Sequence, residues 1–200
     1  VVDLVAGVMT SKIEVGRYPH GIRLSPDEKL LLVANVESGD VSLIDIASLQ
    51  QIARIPVGKA PVQVGFSPNG LTAYVSLRDD DAVGVIDVGA RGLVGKLTVG
   101  DGPIQLHVTP NGRYVFVANQ GSEAVPGKTV SVLDIASGIE IKKIDTGSQA
   151  HGIDVSSDGR LVFVSNLGNS SVSVIDVASL TVVSTFSVGT RPNGITFMLP

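Results

Sequence analysis

The chain contains no cysteine. That excludes disulfides, thiol catalysis, thiolate zinc sites and Cys-x-x-Cys-His haem attachment, and it fits either redox compartment. Only three histidines are present, so few nucleophile–base pairs are available. No Gly-x-Ser-x-Gly elbow occurs. No apolar run approaches the roughly 18 residues that span a membrane as a helix. Fifteen Lys and Arg against nineteen Asp and Glu leave a net charge of −4, which suggests neither a nucleic-acid groove nor an anionic membrane surface. No leader peptide is visible, but the chain opens in the middle of a repeat, so a leader upstream is compatible with it.

What the chain does have is internal repetition. Asp3, Asp45, Asp87, Asp134 and Asp176 lie in near-identical surroundings, separated by 42, 42, 47 and 42 residues. The pairs Val15-Gly16, Val57-Gly58, Val99-Gly100, Thr146-Gly147 and Val188-Gly189 keep the same spacing. So do turns of the type Ser67-Pro68-Asn69-Gly70. The one irregularity is five extra residues within Gly121–Gly127, a polar stretch that reads as a lengthened surface loop. A period near 42 residues is what one four-stranded propeller blade requires.

Each unit resolves into strands. In the first complete one, His20–Ser25 alternates and stops at Pro26-Asp27; Leu30–Asn35, Val41–Asp45 and Gln51–Val57 follow. No helical period is sustained. The middle two strands are apolar on both faces, as expected for a blade sandwiched between neighbours. The recurrent Asp after the third strand is expected to accept backbone N–H bonds in an Asx-type turn, since a catalytic residue is not needed once per blade. The expected fold is an all-β propeller of four-stranded antiparallel blades. Residues 1–14 end a preceding blade, 15–56, 57–98, 99–145 and 146–187 are complete repeats, and 188–200 open the next with a first strand at Arg191–Met198. A seven-bladed ring, of which this is part, is the preferred expectation; a closed five-bladed ring is the alternative.

Leu32-Val33-Ala34-Asn35, Phe116-Val117-Ala118-Asn119 and Phe163-Val164-Ser165-Asn166 resemble the Tyr-Val-Thr-Asn signature of YVTN β-propeller repeats. The adjoining Val-Ser-Val-Ile-Asp segments resemble them as well. The resemblance spans essentially the whole chain. It implies an extracytoplasmic protein, periplasmic or at the cell surface, usually with seven blades. The second unit departs from it: Tyr74-Val75-Ser76-Leu77 lacks the Asn, so its loop is expected to bond differently.

The first strand of a blade normally lines the central channel, and seven residues there are candidates for ligand binding. His20 and His151 share one repeat position, held elsewhere by Val62, Ile104 and Asn193. Imidazole is a common metal ligand. Two ligands three blades apart are too few for an ion, so no metal site is assigned. Alternate positions carry Arg23, Gln63, His107 and Asp154, with Gln105 nearby, and Arg23 could pair with Asp154. Between them, Ile22, Leu24, Val64, Phe66, Leu106, Val108, Ile153 and Val155 read as core between blades. Arg78-Asp79-Asp80-Asp81 lacks the ligand spacing of a calcium loop and reads as a solvated acidic loop. Pro126-Gly127-Lys128-Thr129 fails as a phosphate loop, with five residues between Gly121 and Gly127 where four are needed and a strand where a helix should follow.

No catalytic residue and no cofactor are assigned. The favoured expectation is a non-enzymatic interaction module that binds a protein or polysaccharide through its loops, as one part of a larger complex, with no nucleic acid partner and no direct membrane span. Two alternatives stand beside it: a lactonase- or lyase-like enzyme working at the channel mouth through His20, Arg23, His107, His151 and Asp154, and a redox-accessory propeller in a haem or copper assembly.

Overall fold

The computed structural model describes residues 1–197. A short hairpin, β1 (Val2–Asp3) and β2 (Val8–Met9), comes first. Four antiparallel four-stranded sheets follow, each a simple meander. The first holds β3 (Pro19–Leu24), β4 (Leu30–Asn35), β5 (Asp40–Asp45) and β6 (Gln50–Pro56). The second holds β7 (Pro61–Phe66), β8 (Thr72–Leu77), β9 (Ala82–Asp87) and β10 (Gly92–Thr98). The third holds β11 (Pro103–Val108), β12 (Tyr114–Gly121), β13 (Pro126–Asp134) and β14 (Ile139–Asp145). The fourth holds β15 (Ala150–Val155), β16 (Leu161–Asn166), β17 (Ser171–Asp176) and β18 (Thr181–Ser187). Apart from a 3₁₀ turn at Arg78–Asp80, the described residues contain no helix, so none is long and apolar enough to cross a membrane.

The first strands β3, β7, β11 and β15 lie against one another in series, while the fourth strands barely meet. The sheets therefore fan outward from a common axis, which is the propeller arrangement. The apolar surfaces are buried in three junctions between sheets. Leu32, Leu43, Val64, Val75 and Ile86 fill the first, Tyr74, Val83, Leu106, Val117 and Leu133 the second, and Phe116, Val132, Ile153, Val164 and Ile175 the third. Each such side chain contributes roughly 1.5–3 kcal/mol on burial. The middle strands are buried on both faces, which is why their sequences do not alternate.

Two register shifts recur at equivalent places in every sheet. The inner one falls at Pro19/Ile22, Pro61/Val64, Pro103/Leu106 and Ala150/Ile153. The outer one falls at Leu43/Ile44, Leu93/Gly95, Val132/Leu133 and Val174/Ile175. Such bulges add twist and re-aim side chains.

Two features differ from the reading of the sequence. Ile22 and Leu24 are 58% and 41% exposed, because no sheet covers that face of the first complete blade. Their counterparts Val64, Phe66, Leu106, Val108, Ile153 and Val155 are buried. The segment 191–197 lies beside the fourth sheet without joining one: Phe197 donates its N–H to Asp154 Oδ2 at 2.6 Å and stacks on Phe163 with centroids 5.8 Å apart. Met198, the last residue of the strand expected there, lies outside the described residues.

The turns follow expectation. Asp45 Oδ1 accepts from Ser48 N at 2.7 Å, Asp87 from Ala90 N at 2.8 Å, Asp134 from Ser137 N at 2.8 Å and Asp176 from Ser179 N at 2.8 Å. The Ser48 hydroxyl and N–H hold the Asp45 carboxyl below its ordinary range; the Ser137 and Ser179 N–H and hydroxyl groups do the same for Asp134 and Asp176.

Candidate functional site

The repeat spacing places the candidate residues of the inner strands at three levels. His20 and His151 stand at the start of β3 and β15. Gln63 and Gln105 come one residue further along, at the level of Gly21 and Gly152. Arg23, His107 and Asp154 share the level two residues beyond that, and their fourth member is Gly65 rather than Gln63. Three residues of strand separate the first level from the last by about 10 Å.

At the first level, His20 Nδ1 lies 3.2 Å from the carbonyl of Val62, and His151 Nδ1 lies 2.8 Å from the carbonyl of Asn193. Both carbonyls belong to the equivalent position one repeat later. A carbonyl can only accept, so each Nδ1 carries the proton and Nε2 is left as the free acceptor of the neutral ring. These histidines tie neighbouring inner segments together. His151 is buried, and burial lowers its pKa; the Asn193 carbonyl opposes that shift and the charge of His20 adds to it. The pair meets no third His, Asp or Glu as a metal cluster among the described residues. At the second level, Gln63 and Gln105 are half-buried, and the Gln63 backbone N–H donates to Ser76 Oγ at 3.0 Å.

At the third level, His107 Nδ1 stands 2.8 Å from Asp154 Oδ1, off the axis of a well-aligned ring N–H bond. Arg23 does not pair with Asp154. That carboxylate is occupied by His107 and by the N–H groups of Phe197 and Val155, the latter at 2.9 Å. Burial pushes the Asp154 carboxyl up, but these donors together outweigh it, and the group titrates below its ordinary range. Arg23 is exposed and makes no ion pair among the described residues. It faces a cleft of 180 Å³ that also reaches Gly65, Leu106 and His107.

A second concave region lies between the loops that follow β8 and β12 and the turn before β11. A 400 Å³ groove runs between Arg78, Asp79, Asp81 and Asp101 on one side and Gly121, Ser122 and Val125 on the other. The acidic loop is more tied down than its sequence suggests. Arg78 Nε pairs with Asp79 at 2.7 Å, Lys96 Nζ with Asp80 at 2.6 Å, and Asp81 Oδ1 accepts from Gly102 N at 2.8 Å. The Lys96 ammonium holds the Asp80 carboxyl below its ordinary range. Val125 lies in the five-residue insertion that the sequence marks, whereas Asp101, on the turn before β11, carries no sequence signal of its own.

The fold is similar to known propellers. A chain in a solved structure of Kuenenia stuttgartiensis hydrazine synthase superposes with a TM-score of 0.80 at 25% sequence identity, over 88% of this chain and 51% of that one. This chain thus spans about half the length of that relative. No curated protein matches it. A family model described as YNCE-like beta-propeller matches residues 48–198, three of the four complete repeats and the segment after them. The chain belongs to the YNCE-like beta-propeller family.

Proposed function

We propose that this chain is a non-enzymatic binding propeller of the YVTN type, acting in the periplasm or at the cell surface as part of a larger complex, with a protein or polysaccharide partner held on its loops. One observation carries the reading. The two departures from repeat symmetry, the acidic loop after Leu77 and the five-residue insertion within Gly121–Gly127, meet across a single groove. Loops that vary on an otherwise uniform scaffold are where recognition resides. With Arg78 neutralised by Asp79, the groove is lined by Asp81 and Asp101 and suits a partner segment bearing Lys or Arg.

The ring is proposed to be seven-bladed. Exposed Ile22 and Leu24 call for the inner surface of another blade. The likeness to a chain about twice as long as this one supports the larger ring.

The experiment compares the full natural protein with a variant lacking 122–126 and carrying Asp81→Asn and Asp101→Asn. The natural protein should retain a partner from the extracytoplasmic fraction at low salt and release it as salt rises. The variant should retain none. Equal retention by both would remove the support for this reading.

The His107–Asp154 contact favours a second reading, an enzyme at the channel, because a carboxylate beside an imidazole orients it for proton transfer. Turnover of any ester or lactone that survives unchanged in His107→Ala would end that reading.

A further inference from the structure

The residues at the third level of the channel are of four different kinds at one repeat position: a cation in Arg23, nothing in Gly65, an imidazole in His107 and a carboxylate in Asp154. Asp154 is saturated by His107, Phe197 N and Val155 N. Arg23 is therefore the one charge of the set without a counter-charge among the described residues. A guanidinium is always protonated and offers five donors in a planar fork.

Gly65 lines the same cleft as Arg23 and His107. A Cβ there would sit 2.9 Å from Leu106 Cδ1 and 3.7 Å from Val108 Cγ2, so a longer side chain would crowd the Leu106 and Val108 wall of the cleft. Its absence leaves the 180 Å³ cleft, whose remaining lining is apolar: Leu24, Phe66 and Leu106. That is the volume of about six water molecules. A cleft of this size, with one cationic fork, one imidazole and an apolar floor, fits a small molecule with a charged head and a short hydrocarbon tail.

We propose that Arg23, Gly65 and His107 form a binding site for a small organic carboxylate in the channel of this propeller. The carboxylate takes the Arg23 fork in a bidentate pair. The tail lies on Phe66 and Leu106. With Nδ1 turned to Asp154, His107 presents Nε2 as the free polar atom of its ring. The site is separate from the loop groove and stands whether or not that groove binds a partner.

Sodium butyrate is the probe, titrated into the full natural protein while the His107 ring resonances are followed by NMR, beside n-butanol and inorganic phosphate. The expected result is a saturable shift with butyrate in the millimolar range, and none with butanol. Arg23→Gln, at an exposed position that leaves thermal unfolding unchanged, should weaken butyrate by about tenfold or more. Gly65→Val should block it. The proposal is overturned if the His107 ring does not respond saturably to butyrate, if Arg23→Gln binds it as well as the natural protein, or if phosphate binds as tightly as butyrate.

Discussion

Gly147 is seated on the side-chain amide of Asn166. A Cβ on Gly147 would stand 2.5 Å from Asn166 Cγ, and Asn166 Oδ1 accepts the Gly147 N–H at 3.0 Å. Asn166 Nδ2 in turn donates to Ser171 Oγ at 3.0 Å and Ser173 Oγ at 2.9 Å. Gly16 and Gly100 lie as close over the amides of Asn35 and Asn119, although there the amide oxygen is unbonded and Gly100 N–H goes to Ser131 Oγ at 3.1 Å. In the first, third and fourth blades the recurring Gly and Asn pack together, and in the fourth the pair is hydrogen-bonded, anchoring the entry of that blade to the buried end of its second strand. Gly147→Ala should destabilise by about 1–3 kcal/mol, because the buried amide has no room to retreat. Asn166→Ala should cost about as much, by leaving Ser171, Ser173 and the Gly147 N–H short of partners. Urea unfolding measures both. The two losses should not add in the double variant, and full additivity would contradict a shared device.

The second blade shows what happens when the device is replaced. Leu77 stands where the others carry Asn, and it is fully buried. The acceptors have changed with it: Ala82 and Gly84 occupy the positions of Asp40 and Ser42, Thr129 and Ser131, and Ser171 and Ser173. Gly84 has Leu77 Cδ1 3.4 Å from where its own Cβ would be. The vacated place beside Gly58 is taken by Asp80 and Lys96, whose charged atoms would lie within 2.4 and 2.5 Å of a Cβ there. Leu77→Asn, which makes the blade look more regular, should therefore destabilise it by about 3 kcal/mol or more, adding an unpartnered buried amide to the lost apolar packing. Adding Ala82→Ser and Gly84→Ser should not restore stability, since the Gly84 side chain would strike Val75 Cγ1 at 2.9 Å. A melting temperature for Leu77→Asn equal to that of the natural protein would refute this account.

These particulars mark how far the sequence could be read. The four strands of each unit and the Asx turns at Asp45, Asp134 and Asp176 follow from short-range pattern, and repetition multiplies that signal. The missing Asn at Leu77 correctly marked a loop that bonds differently. What sequence could not give is contact across blades. The exposure of Ile22 depends on whether a sheet covers it, not on its own alternation. The partner of Asp154 is decided by which inner strands are adjacent, and β11 adjoins β15 while β3 does not. Gly65 as the empty member of the Arg23 level was available by counting 42 residues, but a glycine carries no chemistry to draw attention until the cleft around it is seen.

Glu28 occupies a position built for glycine. Its φ is +60°, and the equivalent Gly70, Gly112 and Gly159 have φ of +72°, +70° and +72°. In each turn this residue donates its N–H to the carbonyl three residues back, at 2.8–2.9 Å. The left-handed conformation costs an L-residue about 1–2 kcal/mol, while glycine costs about 0.5–1 kcal/mol in added freedom of the unfolded chain. Glu28→Gly should stabilise by about 0.5–1 kcal/mol on balance. Thermal unfolding should show a rise of a few degrees, and a fall would mean that the Glu28 side chain has a favourable role outside this turn.

His151 should make stability depend on pH near neutrality. Its pKa is depressed from the ordinary 6.5 by burial and by the charge of His20, against the pull of the Asn193 carbonyl. A base held neutral in the fold binds fewer protons there than in the unfolded chain, so folding is favoured fully above pH 6.5 and loses ground as pH falls from 6.5 through the depressed value. The groups that face it are His20 and the Asn193 carbonyl, which also accepts from Ser165 Oγ at 3.4 Å. His151→Asn carries the residue that the chain itself uses at the equivalent position 193, and it has no proton to gain. Urea unfolding at about pH 7.5 and about pH 5.5 should show the natural protein losing more stability than the variant between the two. His20→Asn should narrow the loss by removing the nearby positive charge. Identical pH dependence in all three proteins would show that His151 is not the group that titrates.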